Sequence, residues 1–538
     1  MRSPFHGWLP ELLLAGAASL IACNGTETDG RGDSFHADAF KIHVRALAND
    51  SMEGRFPGTV GGERAATYIE EAMRQAGLEH TADAEGFRHS VPLVGTRVDA
   101  AGARVSLHIE GRAVEVDPQA LLLRTESDRP RVERRARLVF VGHGVSAPEY
   151  GHDDYEDASV AGAWAVVLPG VPAPSSMPGG ANGYAATTDA KLAAARRHGA
   201  VGVWFLSDPD GDEERFRASR AVQSGMDNLR DDWTETRRLE AVVDLGPAGS
   251  RELLEAVGVT WAGLVTDPAD PAGAAAWPSM EAETAFDVAV GAFEAPNLVG
   301  IIPGTDNAAE AVVITAHYDA YGIAAPNEEG DSIYNGATDN AAGTAGLLMM
   351  ARHFANADPP ERTLVFVATT AEEGGMLGAR GYVDRPVVPL DRTVVNINID
   401  GLGFRPPTED FQLFPATGLT IGPALEALAA KLDMELTSEP WQPGMHFAFD
   451  TKAFMAAGIV GFTVWQGSRV REAHRSERPD SGPIHTPDDE YHESWSDAGI
   501  EQHLGLYRTI IDHWARGAAP PAFEPDSPLS PVGTPPDR

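Results

Sequence analysis

The stretch RTLVFVATTAEEGGMLGARGYV, residues 362–383, decides the fold class of this chain. It holds an apolar run at 364–368, then a polar turn with two adjacent glutamates, and then a segment with helical spacing at 376–383. A continuous apolar run of this length is typical of a strand that is buried on both faces, as strands are when helices cover a parallel sheet. The stretch therefore predicts one strand–turn–helix unit of an α/β fold.

The same alternation of strands and helices continues on both sides of this unit. Further strands are predicted at 312–316, 394–399 and 460–465, and further helices at 343–357, 421–432 and 497–514. Fully apolar strands that alternate with helices predict a three-layer sandwich with a mixed, mainly parallel central sheet.

The middle of the chain has a different texture. Between residues 92 and 291, short β-rich runs are separated by Gly, Pro and Asp, and candidate catalytic groupings are few. This pattern predicts a separate β-rich unit.

Both ends of the chain read as segments outside the folded part. Residues 1–23 combine Arg2, an apolar run too short to span a bilayer, and the sequence LIAC that ends at Cys23. This pattern is typical of a bacterial lipoprotein signal, which would export the chain and tether it through Cys23. An ordinary secretory signal is the alternative. Residues 24–36 predict a flexible linker, and residues 517–538 predict an extended Pro-rich tail.

The charge balance excludes one class of partner. The chain has 538 residues, with 79 acidic and 42 basic side chains, so its formal net charge is −37. Such a chain would be repelled by a phosphate backbone, which argues against nucleic-acid binding. The acidity otherwise indicates solubility. The sequence carries no signal of oligomeric state.

Candidate metal ligands follow predicted strands. His317 follows the strand at 312–316, Glu372 and Glu373 follow the strand at 364–368, and Asp400 follows the strand at 394–399. In open α/β sheets the functional crevice lies outside the carboxyl ends of the strands, so these side chains are expected at one edge. Asp339 completes the carboxylates, and His485 supplies a second imidazole. This inventory suits a two-metal hydrolase in which one carboxylate is kept back as the general base.

Each of these residues also has a plainer interpretation when it is taken alone. His317 could be a surface histidine, Asp339 a helix cap, Asp400 the end of a strand and Glu372-Glu373 a solvated charge pair. Asp319 could accept a hydrogen bond from the second nitrogen of His317 and fix its tautomer, or it could cap a turn.

Several stretches together resemble the co-catalytic zinc aminopeptidases of metallopeptidase family 28, the aminopeptidase Y-like group. The matching stretches are AHYDA, NGATDNAAGTAGLLMMAR, RTLVFVATTAEEGGMLGARGYV, VVNINIDGLG and IHTPDDEYHE, and the opening region LANDSMEGRFPGTVGGERAATYIEEAMRQAGLE matches as well. The resemblance implies a zinc exopeptidase fold over residues 37–91 and 292–516. The middle block, residues 92–291, resembles a protease-associated domain inserted into such peptidases.

The resemblance also implies a role for each candidate residue. Asp339 would bridge two zinc ions, with His317 and Asp400 completing one site and Glu373 and His485 the other. Glu372 would be the general base. Cobalt or manganese would also suit these ligands.

One position departs from the family pattern. Some members have Tyr directly before the last metal-binding histidine, where this chain has Ile484. Polarisation of the substrate carbonyl would then rest mainly on the metals.

The activity that the resemblance implies is removal of N-terminal residues from peptides. Carboxypeptidase, dipeptidase and glutaminyl cyclase-like activities are alternatives on the same fold. A carboxypeptidase would need a cation for the substrate carboxylate, and Arg380, Arg405 and Arg469 are the available candidates. A non-catalytic, receptor-like binding protein is the alternative from a different class, although such relatives typically lose metal ligands.

Overall fold

Sixteen strands join one continuous sheet in the described part of the chain, and two small pairs of strands lie outside it. The strands are β1 (Arg88–Val98), β2 (Arg104–Ile109), β3 (Arg112–Glu115), β4 (Leu121–Arg124), β5 (Arg131–Phe140), β6 (Ser146–Ala147), β7 (His152–Asp153), β8 (Trp164–Val167), β9 (Gly202–Phe205), β10 (Gly225–Leu229), β11 (Ala241–Leu245), β12 (Met280–Ile302), β13 (Asn307–His317), β14 (Gly322–Ile323), β15 (Ile333–Tyr334), β16 (Arg362–Thr369), β17 (Thr393–Asn398), β18 (Asp410–Phe414), β19 (Glu435–Thr437) and β20 (Gly461–Gln466).

The α-helices flank this sheet. They are α1 (Ala37–Leu47), α2 (Val60–Ala76), α3 (Thr188–Arg197), α4 (Glu213–Val222), α5 (Pro247–Val257), α6 (Trp261–Thr266), α7 (Ala342–Asn356), α8 (Leu377–Asp384), α9 (Gly422–Lys431), α10 (Thr451–Ala456) and α11 (Asp497–Ala515).

The computed structural model describes most of the chain after its amino-terminal segment. The described residues are 35–81, 86–109, 112–172, 183–222, 225–230, 238–266, 277, 280–402, 404–437, 445–525, 527 and 529. The predicted signal, Cys23 and residues 24–34 of the predicted linker lie outside them. No helix of the described ranges has the length and apolarity that a membrane crossing requires.

The part of the sheet that carries the candidate residues is mixed and mainly parallel, as predicted. Its order is β19-β18-β20-β17-β13-β16-β12. β13 pairs in parallel with both β16 and β17, and β17 pairs in parallel with β20. β12 and β18 introduce the antiparallel pairings.

Helices cover both faces of this sheet because alternate strand residues point to opposite sides. Val312 and Leu364 pack in the cluster that contains α1, α2, α7, α9 and α11. Val313 and Val365 pack in a second cluster with residues of α8 and α10. The strands are therefore buried on both faces, which explains their uninterrupted apolar sequences and confirms the three-layer prediction.

The middle block has its own hydrophobic clusters but is continuous with the rest of the sheet. The order continues from β12 through β5, β8, β9 and β11 to β4, and β5, β8, β9 and β11 run parallel. Two large clusters of buried side chains and one small cluster lie in the described part of this region. β12 pairs with β16 at one end and with β2 and β5 at the other, so a single 23-residue strand serves both parts.

The predicted domain boundaries fall inside paired strands. β1 and β12 form an antiparallel ribbon in which Pro92 lies opposite Glu294 and Gly95 lies opposite Gly291. The chain from Phe35 onward accordingly forms one compact unit.

The described part of the Pro-rich tail packs against this unit. Phe523 pairs with Leu419, the hydroxyl of Ser527 donates to the carbonyl of Gly418 at 2.7 Å, and Leu529 is buried. The proline content of the tail predicts an extended segment, but it does not predict these contacts with the folded unit.

Candidate metal centre

Three strand ends bring the predicted ligands to one edge of the sheet. His317 is the last residue of β13, and its register partner on the parallel strand β16 is Thr369. Glu372 and Glu373 follow β16 after a short turn, and Asp400 follows β17. Because β13 lies between β16 and β17, the three ends lie side by side.

Asp339 lies between the two imidazoles. Nε2 of His317 is 3.2 Å from Oδ1 of Asp339, and Nε2 of His485 is 3.0 Å from Oδ2. The two oxygens of one carboxylate thus face two different histidines, as the bridging role implies.

The remaining carboxylates divide between the two histidines. Nε2 of His317 lies 3.7 Å from Oδ1 of Asp400, and Nε2 of His485 lies 3.6 Å from Oε2 of Glu373. His317, Asp339 and Asp400 form one group whose ligand atoms lie within 4.8 Å of one another, and Asp339, Glu373 and His485 form another. Glu372 belongs to neither group, although its Oε2 is 3.9 Å from Nε2 of His317.

The Asp339 segment is held by a partner that comes from the His485 segment. Asp489 accepts the backbone N–H of Thr338 at 2.9 Å with one oxygen and that of Asp339 at 3.1 Å with the other. Asn340 is also fully buried and donates to the carbonyl of Ile399 at 3.0 Å, which ties this segment to the end of β17. Both contacts fix where the Asp339 carboxylate lies.

Of the two interpretations of Asp319, the structure shows the contact with a turn and not the hydrogen bond to His317. Oδ1 of Asp319 lies 3.7 Å from Nδ1 of His317, too far for a hydrogen bond. The Asp319 carboxylate instead accepts the backbone N–H of Glu372 at 3.1 Å and that of Glu373 at 3.3 Å. The sequence shows that Asp319 is two residues from His317, but not that the turn after β16 brings two backbone amides to its carboxylate.

The turn that presents Glu372 has a constrained backbone. Ala371 and Met376 have positive φ angles of 53° and 57°, in the left-handed region that is unfavourable for these residues. The carbonyl of Glu372 accepts the N–H of Met376 at 2.7 Å, and Asn297 accepts the N–H of Thr370 at 3.0 Å. These contacts hold the carboxyl of Glu372 toward the cluster.

Burial and mutual repulsion shift the acid–base behaviour of the carboxylates. Burial is the main cause that raises the pKa of Glu372 well above its usual range, and that of Glu373 to about 8. Burial also raises the pKa of Asp400. For Asp339, burial is outweighed by the two adjacent imidazoles, which lower the pKa.

The pKa values of the two imidazoles are raised as well, although burial acts on them in the opposite direction. Burial opposes protonation of His317, but the carboxylates of Glu372 and Asp400 outweigh it and raise the pKa well above its usual range. The same balance, with Glu373 and Asp339, raises the pKa of His485 to about 9. The cluster therefore holds excess negative charge in a buried place, which a cation would offset.

The side chains fit a pair of divalent cations. Nδ1 and Nε2 of His317 and Oε1 of Glu373 are buried and have no hydrogen-bond partner among the described residues. Ligand atoms about 2.0–2.2 Å from one tetrahedral zinc ion lie roughly 3.4 Å apart, close to the separations within each group. Imidazole and carboxylate donors are the set that zinc, cobalt and manganese accept.

Two further residues at the site had no catalytic role predicted from the sequence. Tyr321 packs its ring edge-on against His485, with centroids 5.0 Å apart, and its hydroxyl faces the Glu373 carboxylate. Asp450 is fully buried, and its charge adds to the rise in the pKa of Glu372. Ile484, where some relatives have tyrosine, is 52% exposed. Tyr321 lies four residues after His317 in the sequence, a spacing that gives no signal of a shared site. Only the fold shows that Tyr321 packs against His485.

The family model described as Peptidase family M28 matches residues 297–506, a range that contains all of the candidate ligands and Glu372. Aminopeptidase YwaD of Bacillus subtilis is 36% identical over 109 residues, which are 20% of this chain and 22% of that protein. A vacuolar membrane protease of Clavispora lusitaniae is 28% identical over 111 residues, which are 21% of this chain and 10% of that protein. The matched region thus spans about a tenth of the length of that relative.

Two solved structures share the fold over nearly the whole chain. An aminopeptidase from Aneurinibacillus sp. strain AM-1 has a TM-score of 0.55 and 18% identity, over 91% of this chain and 96% of that one. BSAP, a zinc aminopeptidase from Bacillus subtilis, has a TM-score of 0.50 and 19% identity, over 90% of this chain and 97% of that one. These structural similarities establish the fold. The family model covers the strands that carry the candidate ligands. Residues 297–506 of this chain are thus similar to peptidase family M28.

Proposed function

We propose that this protein is a metal-dependent exopeptidase, an aminopeptidase that removes N-terminal residues from peptides. The observation that carries the proposal is the shared carboxylate of Asp339, which faces His317 on one side and His485 on the other. The names of the aminopeptidase relatives support the same activity.

Two zinc ions are the proposed cofactors. His317 and Asp400 would hold one ion, Glu373 and His485 the other, and Asp339 both. When bound, such ions polarise the scissile carbonyl and lower the pKa of a water molecule at the site.

Glu372 is the proposed general base. It takes a proton from the attacking water and then passes that proton to the leaving amine. Its carboxyl is buried, belongs to neither ligand group and lies 3.9 Å from Nε2 of His317, so it is placed to serve the water without being a ligand. Asp319 holds the backbone of Glu372 and Glu373 and is a positioning residue for both.

Tyr321 packs against His485 of the second ligand group and takes over the donor role for which Ile484 is unsuited. Its ring is fixed against His485, and its hydroxyl faces Glu373. A neutral phenol there would donate a hydrogen bond to the substrate carbonyl as negative charge develops on it.

An aminopeptidase fits the charges better than a carboxypeptidase does. The buried carboxylates favour the free ammonium of a substrate N-terminus. Of the arginines available to bind a substrate carboxylate, Arg469 forms ion pairs with Glu435 at 2.6 Å and Asp410 at 3.7 Å. Arg405 lies over the ring of Phe404. A receptor-like binding role is disfavoured because every ligand position is filled.

Adjacent glutamates provide a matched test. Glu372→Gln should lower kcat by about 100-fold to 10,000-fold on aminoacyl anilides and leave two equivalents of zinc bound, since the residue is not a ligand. Glu373→Gln should lose zinc from one site. C-terminal chromogenic substrates serve as the control for a carboxypeptidase. Full activity of Glu372→Gln with its zinc retained would refute the role of Glu372.

Residues 92–291 are proposed to be a protease-associated domain, and the amino-terminal segment a lipoprotein signal. Lipidation at Cys23 would tether the exported protein to a membrane surface. Fractionation of cells that express Cys23→Ala tests this, because the variant should leave the membrane fraction. Retention of the variant in that fraction would refute a lipid anchor.

A further inference from the structure

Arg55 is fully buried beneath the metal centre, yet all of its hydrogen bonds in the described structure go to backbone carbonyls. Nε donates to Tyr318 at 2.6 Å, and Nη2 donates to Gly336 at 2.9 Å. Nη1 donates to Leu47 at 2.7 Å and to Asn335 at 2.6 Å. One planar group with fixed donor directions is therefore satisfied by four carbonyls.

Three of these carbonyls belong to the two segments that carry metal ligands. Tyr318 directly follows His317 at the end of β13, and Asn335 and Gly336 begin the turn that leads to Asp339. Arg55 thus joins the strand end of one imidazole to the turn of the shared carboxylate. Arg55 is 263 residues away from Tyr318 in the sequence, so this hydrogen bond is a tertiary contact and not part of a local turn.

The backbone around Arg55 is bent to reach this position. Glu53, Gly54 and Arg55 have successive positive φ angles of 50°, 64° and 50°. A side chain on Gly54 would place its Cβ 2.5 Å from the carbonyl oxygen of Gly322, so the segment packs directly against the chain that follows His317. Two non-glycine residues in the left-handed region persist only where the surrounding contacts enforce them.

The charge of Arg55 does not explain its presence at a cation site. Asp319, Asp339, Glu373 and Asp489 all act electrostatically on the guanidinium. By itself, a buried positive charge beside these carboxylates weakens the binding of a further cation. A positional effect and a charge effect therefore predict opposite changes in metal affinity when the guanidinium is removed.

We propose that Arg55 is a positioning residue of the metal centre, which sets the spacing of His317 and Asp339 and thereby the affinity of the His317–Asp339–Asp400 group for its ion. This inference rests on the proposed function of the cluster. Partners that orient metal ligands typically contribute about 10-fold to 100-fold in metal affinity. The three hydrogen bonds by which Arg55 joins two ligand segments should contribute on the same scale.

The test compares two buried arginines. Arg55→Met removes the charge and the donors, and Arg55→Lys keeps the charge but cannot reach four carbonyls. Arg362→Met is the control, because Arg362 is also buried and donates to the carbonyls of Trp514 and Ala518 at 2.8 and 2.7 Å. Arg362 starts β16, whereas the metal centre lies beyond the other end of that strand.

Zinc and cobalt affinities of the full chain are measured by competition with a chromogenic chelator, after circular dichroism has verified folding. We expect both Arg55 variants to bind about 10-fold to 100-fold more weakly, with cobalt absorption bands changed, and Arg362→Met to bind normally. Tighter binding by Arg55→Met would show a charge effect alone and overturn the proposal. Unchanged binding would also overturn it, as would failure of both Arg55 variants to fold while Arg362→Met folds.

The wild-type protein separates this inference from the proposed function. If wild type binds no zinc or hydrolyses no aminoacyl anilide, the proposed function fails. If wild type does both and the Arg55 variants match it, only the role of Arg55 fails.

Discussion

Replacing Asp319 by asparagine tests which part of the metal centre its carboxylate holds. The two oxygens accept the amides of Glu372 and Glu373 at 3.1 and 3.3 Å, whereas Nδ1 of His317 is 3.7 Å away. Asparagine keeps one acceptor and turns an NH₂ group toward the other amide. One of the two N–H groups therefore loses its partner in a buried place.

The expected cost follows from these contacts. A hydrogen bond to a charged acceptor contributes about 1.5–3 kcal/mol, and a buried donor left unpaired costs about 1–3 kcal/mol. Both hydrogen bonds are long for N–H···O, so we take the lower values and expect a loss of roughly 2.5–3 kcal/mol. If this free energy is lost from the correct placement of the turn, kcat should fall by about 100-fold. The affinity of the Glu373–His485 group for its ion should fall by about the same factor.

Zinc affinity is measured in two backgrounds that isolate the groups. In His317→Ala only the Glu373–His485 group keeps all of its ligands, and in His485→Ala only the His317–Asp400 group does. Asp319→Asn should weaken zinc binding in the first background and leave it near normal in the second. The opposite pattern would show that Asp319 acts through His317 and would refute the argument from the amides.

Asp410→Asn is the matched control for the loss of a buried carboxylate. Asp410 accepts the amide of Arg469 at 2.9 Å and starts β18, which β20 separates from β17. It should lower thermal stability without a change in kcat or in zinc content.

Tyr321→Phe keeps the ring against His485 but removes the hydroxyl, so kcat should fall by about 100-fold with zinc content unchanged; an unchanged kcat would exclude the donor role. Burial lowers the pKa of Lys191 from 10.5 to about 7, so between those values the unfolded chain binds more protons and stability rises with pH. Lys191→Met should therefore stabilise the fold more at pH 6 than at pH 9 in thermal melts, and an equal gain at both would contradict the shift. Chelation of wild type, loaded at a free zinc concentration of 1,000 times Kd, should remove about 4 kcal/mol of stability, and an unchanged melting temperature would argue against a bound ion.

What the sequence predicts well depends on the range of the interaction. The strand Leu364–Ala368 was predicted because an uninterrupted apolar run indicates burial on both faces. The helix that follows it was predicted from the helical spacing of its own apolar residues. The convergence of strand ends follows from the parallel order of the sheet. These two local signals were sufficient to bring His317 and Asp400 to one edge.

The supporting contacts could not be predicted in this way. Asp489 contacts Asp339 across 150 residues, and Arg55 reaches Asn335 across 280. Neither is periodic, and each partner on the other side is a backbone group that any residue type provides. The partners of Asp319 stayed open in the sequence for the same reason, because the two that it has are backbone amides.

The middle block also contributes to the support of the site. Leu229 of β10 is buried in a small cluster with Ala371 and Leu377, which flank Glu372 in the chain. β10 is held there by pairing with β1, whose own pairing with β12 connects the two parts of the sheet. Removal of residues 92–291 would divide the β1–β12 ribbon. It would also remove Leu229 from the small cluster that contains Ala371 and Leu377. The block therefore supports the turn that carries Glu372, the proposed general base, through packing.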